Sequence, residues 1–170
     1  MLKRTDRESG VSLIELMIAF SIMAILFGLA MPSFRTWIQN TQIRTATESI
    51  QNGLQLARSE AVRLNTDVML TMNTLSGWTV QVVGGTLVQR RFAGEGSANA
   101  LVRLIPAGAT VVTFSGLGRV KVNADASASL TEVDVTSSVS GTRPLNVVVG
   151  LGGVIKMCDP AYAAGTPQAC

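Results

Sequence analysis

Histidine does not occur in this chain, and its absence removes both the commonest general base and the commonest metal ligand. Catalysis by a Ser-His or Cys-His pair is therefore excluded. Cysteine is nearly as scarce. Cys158 and Cys170 are the two present, both near the C-terminal end, and two thiols cannot supply the four ligands of a structural zinc site. A free-thiol nucleophile would also lack an imidazole to activate it. Aromatic residues make up 5% of the sequence, so side chains for stacking nucleic-acid bases are few. No internal repeat is evident. The expectation is a protein with no catalytic residue, no metal and no cofactor.

What the chain has in excess is apolar residues, 47% against 15% charged, and the excess is concentrated near the N-terminus. The 170 residues suffice for one membrane segment and one compact domain. The net charge of +3 and pI near 9.3 permit contact with phosphate or anionic lipid without demanding it.

From Val11 to Met31 every residue is apolar or small except Ser12, Glu15 and Ser21. At about 1.5 Å per residue the run spans about 31 Å as a helix, matching a bilayer core of roughly 30 Å. Lys3, Arg4 and Arg7 precede it, and the positive-inside rule puts them in the cytoplasm. The rest of the chain then faces outward, where the cysteine pair reads as one disulfide. A cleaved secretory signal is the competing reading, because Gly28-Leu29-Ala30 resembles a small-x-small cleavage site. Against it, Phe34, Trp37 and Ile38 carry the apolar pattern onward into an amphipathic helix.

Glu15 is out of place in an ordinary anchor. A charged acid in a membrane helix costs on the order of 2.5–3.5 kcal/mol, and such acids usually have a partner. The segment contains no Lys or Arg. If the chain were cut after Gly10, Val11 would carry a new positive charge. The Glu15 carboxylate could then pair with that amine on a neighbouring copy, with helices stacked at an axial offset.

"GVSLIEL" followed by the apolar run resembles the class III signal of type IV pilins and type II secretion pseudopilins. The resemblance implies that a prepilin peptidase cuts between Gly10 and Val11 and methylates Val11. It further implies that Glu15 guides assembly into a filament, and Pro32 matches that family's helix proline. Val11 departs from the usual Phe. Implied partners are other major or minor pilins or pseudopilins, the prepilin peptidase and the inner-membrane assembly platform. The implied location is the bacterial inner membrane as a single pass with a periplasmic C-terminal domain, and then a pilus or pseudopilus filament.

Beyond Pro32, which should kink or loosen the helix, Ile43, Ala46, Ile50, Leu54, Ala57, Ala61 and Leu64 recur at helical spacing and define one apolar face. After Asn65 the period becomes two. Strands are expected near Val68–Met72, Trp78–Val83, Leu87–Phe92, Leu101–Ile105, Val111–Phe114, Arg119–Asn123, Leu130–Val135, Leu145–Val149 and Val154–Met157, with a hairpin turn at Gly84-Gly85. The fold class is α+β, a long N-terminal helix packed on antiparallel β-sheet. The divisions are a leader over 1–10, a membrane or filament-core helix over 11–31, an amphipathic helix over 32–64 and a β-rich domain over 65–170. Within the pilin superfamily, "ARSEA" (Ala57 to Ala61) and the turn Phe114-x-Gly116-x-Gly118-Arg119 resemble the GspH/FimT family of minor pilins.

Basic side chains are the remaining candidates for chemistry. Gly116-Leu117-Gly118 is followed by no helix, so it is no phosphate cradle. Arg119 and Lys121 fall on one strand face, with Arg143 and Lys156 further along, and these four are the candidate contacts to DNA phosphate. The bland alternative is a solvated sheet face, with Glu132 and Asp134 pairing to it across strands. Some FimT-like pilins bind DNA through Gly-Arg-x-Arg just before a C-terminal cysteine. Here Gly153 is followed by Val154 and Lys156 in place of the arginines, so half that charge is gone. Three functions stay open: a minor subunit incorporated into or priming a type IV pilus, a minor pseudopilin of type II secretion, and a DNA-binding pilin for uptake in natural transformation.

Overall fold

The computed structural model describes residues 11–73 and 75–170; Gly10 and the rest of the leader lie outside the described residues. Among the described residues, one helix, α1 (Leu13–Leu64), is followed by nine strands. These are β1 (Val68–Met72), β2 (Trp78–Val82), β3 (Leu87–Arg91), β4 (Ala100–Ile105), β5 (Val111–Phe114), β6 (Val120–Lys121), β7 (Glu132–Ser137), β8 (Leu145–Val149) and β9 (Ile155–Cys158). The chain divides into two compact units between Arg35 and Thr36.

In the first unit, α1 presents apolar residues on every side and none of residues 11–35 is buried. A helix apolar all round belongs in an apolar medium, either lipid or other helices. Its strongest 18-residue window has a mean hydropathy of 2.4. α1 continues through Pro32, although a proline has no N–H to return to the Gly28 carbonyl.

In the second unit α1 becomes amphipathic. Ile43, Ala46, Ile50, Leu54, Ala57 and Ala61 are fully buried, whereas Leu64, expected on the same face, is exposed at the last turn. The buried stripe also takes in Thr47, Ser49 and Gly53. Thr47 returns its hydroxyl to the Ile43 carbonyl at 2.7 Å, and Ser49 Oγ accepts the indole N–H of Trp78 at 3.0 Å. A Cβ on Gly53 would lie 2.8 Å from the Trp78 ring, so glycine is what lets helix and strand approach this closely.

The strands form two antiparallel sheets, β3-β2-β1-β5-β6 and β4-β7-β8-β9. Inward residues of both join one core with α1, among them Leu70, Val80, Phe114, Val133, Val135 and Val147. Three local expectations are corrected. β6 is two residues rather than five, because the chain turns into the loop held by Asn123. That side chain donates to the Val111 carbonyl and to Ser127 Oγ at 3.3 and 3.1 Å. β7 begins at Glu132 and runs to Ser137, two residues later than its apolar pattern suggests. The β2–β3 reversal is closed by Gly85 N–H donating to the Val82 carbonyl at 2.9 Å. Its centre is therefore Val83-Gly84, and Gly84 has the positive φ of 67°.

Candidate functional site

Val11 and Ser12 precede the first helical residue. Ser12 Oγ accepts the Glu15 backbone N–H at 3.3 Å, and the Ser12 carbonyl accepts from Glu15 and Leu16 at 3.1 and 3.2 Å. Ser12 is thus the helix cap. Ser12-Leu13-Ile14-Glu15 has the S-x-x-E spacing of a capping box. Glu15 occupies the first turn, where the positive end of the helix dipole favours a carboxylate. Sequence reasoning missed this local role, although the signal was there, serine and glutamate three apart ahead of an apolar run. Further along, Ser21 and Ser33 return their hydroxyls to the Met17 and Ala30 carbonyls at 2.8 and 2.9 Å. These polar groups are therefore satisfied within the helix, as an apolar medium requires. Pro32 stands within the same exposed stretch.

The four basic candidates do not gather into one free surface. Lys121 Nζ bonds Asp67 Oδ2 at 2.6 Å. Arg143 is ion-paired with Asp159, lies 4.7 Å from the Tyr162 ring centroid, and has its pKa raised first by Tyr162 and then by Asp159. Lys156 Nζ donates to the Ala169 carbonyl at 2.8 Å. Arg119 is exposed, and among the described residues its guanidinium has no hydrogen-bond or ion-pair partner. Glu132 and Asp134 do not pair with Arg119 and Lys121. They belong to the other sheet, where Asp134 accepts from Arg103 Nε at 2.9 Å and Glu132 accepts from Asn146 Nδ2 at 2.7 Å.

Cys158 and Cys170 are joined in a disulfide that closes the C-terminal loop. Besides the Lys156 contact, the Asp159 N–H donates to the Gln168 carbonyl at 2.8 Å. Between this loop and the start of α1 in the second unit lies an open groove of about 510 Å³, bordered by Asn40, Arg44, Arg143 and Tyr162. Both arginines already hold carboxylates, since Arg44 Nε lies 2.7 Å from Glu48 Oε1.

The pieces "ARSEA", "FSGLGR" and "LGGV" meet at one place. Arg58 Nε donates to the Gly118 carbonyl at 3.1 Å, and the Val120 N–H donates to the Leu151 carbonyl at 3.1 Å. A Cβ on Gly153 would overlap the Gly118 carbonyl oxygen, and one on Gly116 would lie 2.7 Å from Asn65 Oδ1. These glycines let the β5–β6 turn, the β8–β9 turn and the C-terminal end of α1 close on each other, with Arg58 as the clamp. The arrangement orders backbone and ties the two sheets together.

A long N-terminal helix with an apolar first half and an amphipathic second half, packed on antiparallel sheet, defines the type IV pilin-like fold. A crystal structure of the Pseudomonas aeruginosa PAO1 type IV minor pilin FimU is similar, with a TM-score of 0.52 at 18% identity, over 75% of this chain and 94% of that one. The same protein in a second crystal form has a TM-score of 0.46 at 20% identity, over 75% and 98%. Residues 46–153 match the family described as type II transport protein GspH, and residues 5–31 match the prokaryotic N-terminal methylation motif. The chain belongs to the GspH family, and it is a minor pilin or pseudopilin.

Proposed function

We propose that the chain is a non-catalytic minor subunit incorporated into, or priming, a type IV pilus. It is cut between Gly10 and Val11 by a prepilin peptidase and methylated on Val11. The observation that carries this is the first part of α1, residues 13–35, largely apolar, wholly exposed and bearing Glu15 in its first turn, most of it inside the methylation motif matched over residues 5–31. Before assembly that surface lies in the inner membrane, with the second unit in the periplasm; afterwards it packs against helices of other subunits. The move exchanges one apolar medium for another. Glu15 supplies direction by attracting the Val11 amine of a neighbour, at a depth where a lone charge would cost on the order of 3 kcal/mol.

The test is Glu15→Val. Membrane insertion and Gly10–Val11 processing should be retained, while the amount recovered in sheared filaments should fall at least tenfold. Normal recovery would reject the pairing.

The family description favours a second reading, a pseudopilin of type II secretion. Deleting the chain separates the two, since one loss abolishes surface pili and the other arrests an exported protein in the periplasm. The DNA-uptake reading has less support, because Lys121, Arg143 and Lys156 are engaged within the fold. It requires affinity that falls steeply with salt and collapses in an Arg119→Glu, Lys156→Glu variant.

A further inference from the structure

Two tight reversals in the second unit carry leucine at the apex, where turns ordinarily carry polar residues. The Gly118 N–H donates to the Ser115 carbonyl at 2.7 Å, and the Gly153 N–H to the Gly150 carbonyl at 2.8 Å. Leu117 and Leu151 stand inside these turns, 82% and 78% exposed, and neither belongs to the core. The neighbouring glycines already meet the needs of the backbone, so the fold does not call for leucine at either place. The Val120 N–H, donating to the Leu151 carbonyl, holds the two turns side by side, and Arg58 pins the first through the Gly118 carbonyl. Val62, Val122 and Val154, all exposed, lie on α1 and on the chain beside the turns. A Cβ on Gly118 would lie 3.1 Å from Val62 Cγ2, which puts the helix against the first turn. The result is a projecting apolar patch on a fixed base.

The charge around the patch is cationic. Residues 55–67, 115–125 and 148–156 carry five cations and three carboxylates. Glu60 and Asp67 are already held by Arg63 and Lys121, and Asp125 accepts the Ser127 N–H at 3.0 Å. Arg58 and Lys156 direct donors at the Gly118 and Ala169 carbonyls, which leave their charges uncancelled. Arg119, next to the first turn, is exposed, and among the described residues its guanidinium has no hydrogen-bond or ion-pair partner. The area argues against a protein occupant. Five side chains amount to roughly a few hundred Å², against roughly 1,200–2,000 Å² for a stable complex between proteins. Projecting turns also offer no concavity to a small ligand. A bilayer surface meets both conditions, because its affinity adds apolar burial in the headgroup region to attraction between cations and anionic lipid.

We propose that the Leu117–Leu151 double turn inserts into the headgroup layer of an anionic bilayer, with Arg119 against the lipid phosphates. The contact belongs to the second unit alone and does not depend on which filament the chain enters.

The test holds the full chain in phosphatidylcholine nanodiscs and mixes them with vesicles of equal parts phosphatidylcholine and phosphatidylglycerol. The vesicles are then floated through a density gradient. The disc already covers the apolar half of α1, so a disc that rises with the vesicles is held by the second unit. The expected result is co-flotation above that of empty discs, falling as salt rises and at least tenfold weaker with vesicles of phosphatidylcholine alone. Leu117→Asp combined with Leu151→Asp, and separately Arg119→Glu, should each reduce it at least tenfold. These side chains are exposed, so the variants should keep the fold, which near-ultraviolet circular dichroism of the buried Trp78 checks. No co-flotation, equal co-flotation with the zwitterionic vesicles, or co-flotation indifferent to both variants overturns the inference. Discs that pair with one another without vesicles also overturn it, in favour of a second copy of this chain.

Discussion

Gly108 and Gly153 share a φ of +82°, yet a Cβ at Gly108 meets nothing within 4 Å while one at Gly153 would overlap the Gly118 carbonyl. The pair separates backbone strain from steric overlap. Gly108→Ala should cost about 1 kcal/mol, the lower end of left-handed strain. Gly153→Ala adds overpacking against rigid backbone and should cost about 3 kcal/mol or more. Urea unfolding of the full chain in detergent micelles, followed by fluorescence of the buried Trp78, measures both. Equal losses would remove the clamp from the account. Glu60 makes a second case. Its hydrogen bond from Arg63, with that charge adding to it, lowers the Glu60 pKa from the ordinary value of 4.5. A carboxylate depressed by folding stabilises the fold above its unfolded pKa. That stabilisation is lost as pH falls through the lower folded value, hence below pH 4.5. An NMR titration should place the Glu60 midpoint beneath the ordinary value, and Arg63→Ala should return it there.

Among the elements, α1 was the most legible in the sequence, because one apolar run and one helical stripe fix its two halves. Six of the seven stripe positions are buried. Thr47, Ser49 and Gly53 were not legible, since their burial depends on an internal hydroxyl bond, the Trp78 indole and a close crossing. Strand positions followed from alternation, but their division into two sheets did not. Pairing joins residues distant in sequence, and alternation says nothing about which edge finds which. For the same reason Asp134 was given the wrong cation. Among the candidate residues, the types at Gly10, Val11 and Glu15 were plain, whereas the internal engagement of Lys121, Arg143 and Lys156 emerges only with the fold. The Ser12 cap gives an element-scale prediction. Ser12→Ala should cost about 1 kcal/mol of first-turn stability. In micelles this should speed exchange of the Glu15 amide about fivefold, with amides beyond Phe20 unchanged. Uniform acceleration along α1 would mean that Ser12 does more than cap.

At the scale of the whole molecule, the buried core lies within the second unit. None of residues 11–35 is buried, and every residue of the core comes from Ile43 onward. The start of α1 in this unit is tied to the body by side chains of its own, with Gln39 bound to Ser137 at 3.1 Å, Asn40 to the Arg143 N–H at 2.8 Å and Gln42 to the Asn99 N–H at 3.1 Å. Removing the apolar half should therefore cost a helix extension and leave the buried core intact. A chain beginning at Thr36 should fold in water without detergent. Its thermal midpoint should stay within about 4 °C of the full chain's, the shift expected for about 1 kcal/mol in a domain of this size. Fraying should be confined to the turn before Gln39, and hydrogen exchange would show it there. A fall of more than 10 °C would mean that residues before Thr36 support the core, and the division of labour between an assembling helix and an independent domain would have to be abandoned. If the midpoint holds, sequence changes along Val11–Arg35 act on membrane residence and filament entry without touching the stability of the domain. Losses of assembly caused by Glu15 variants could then be read as assembly alone.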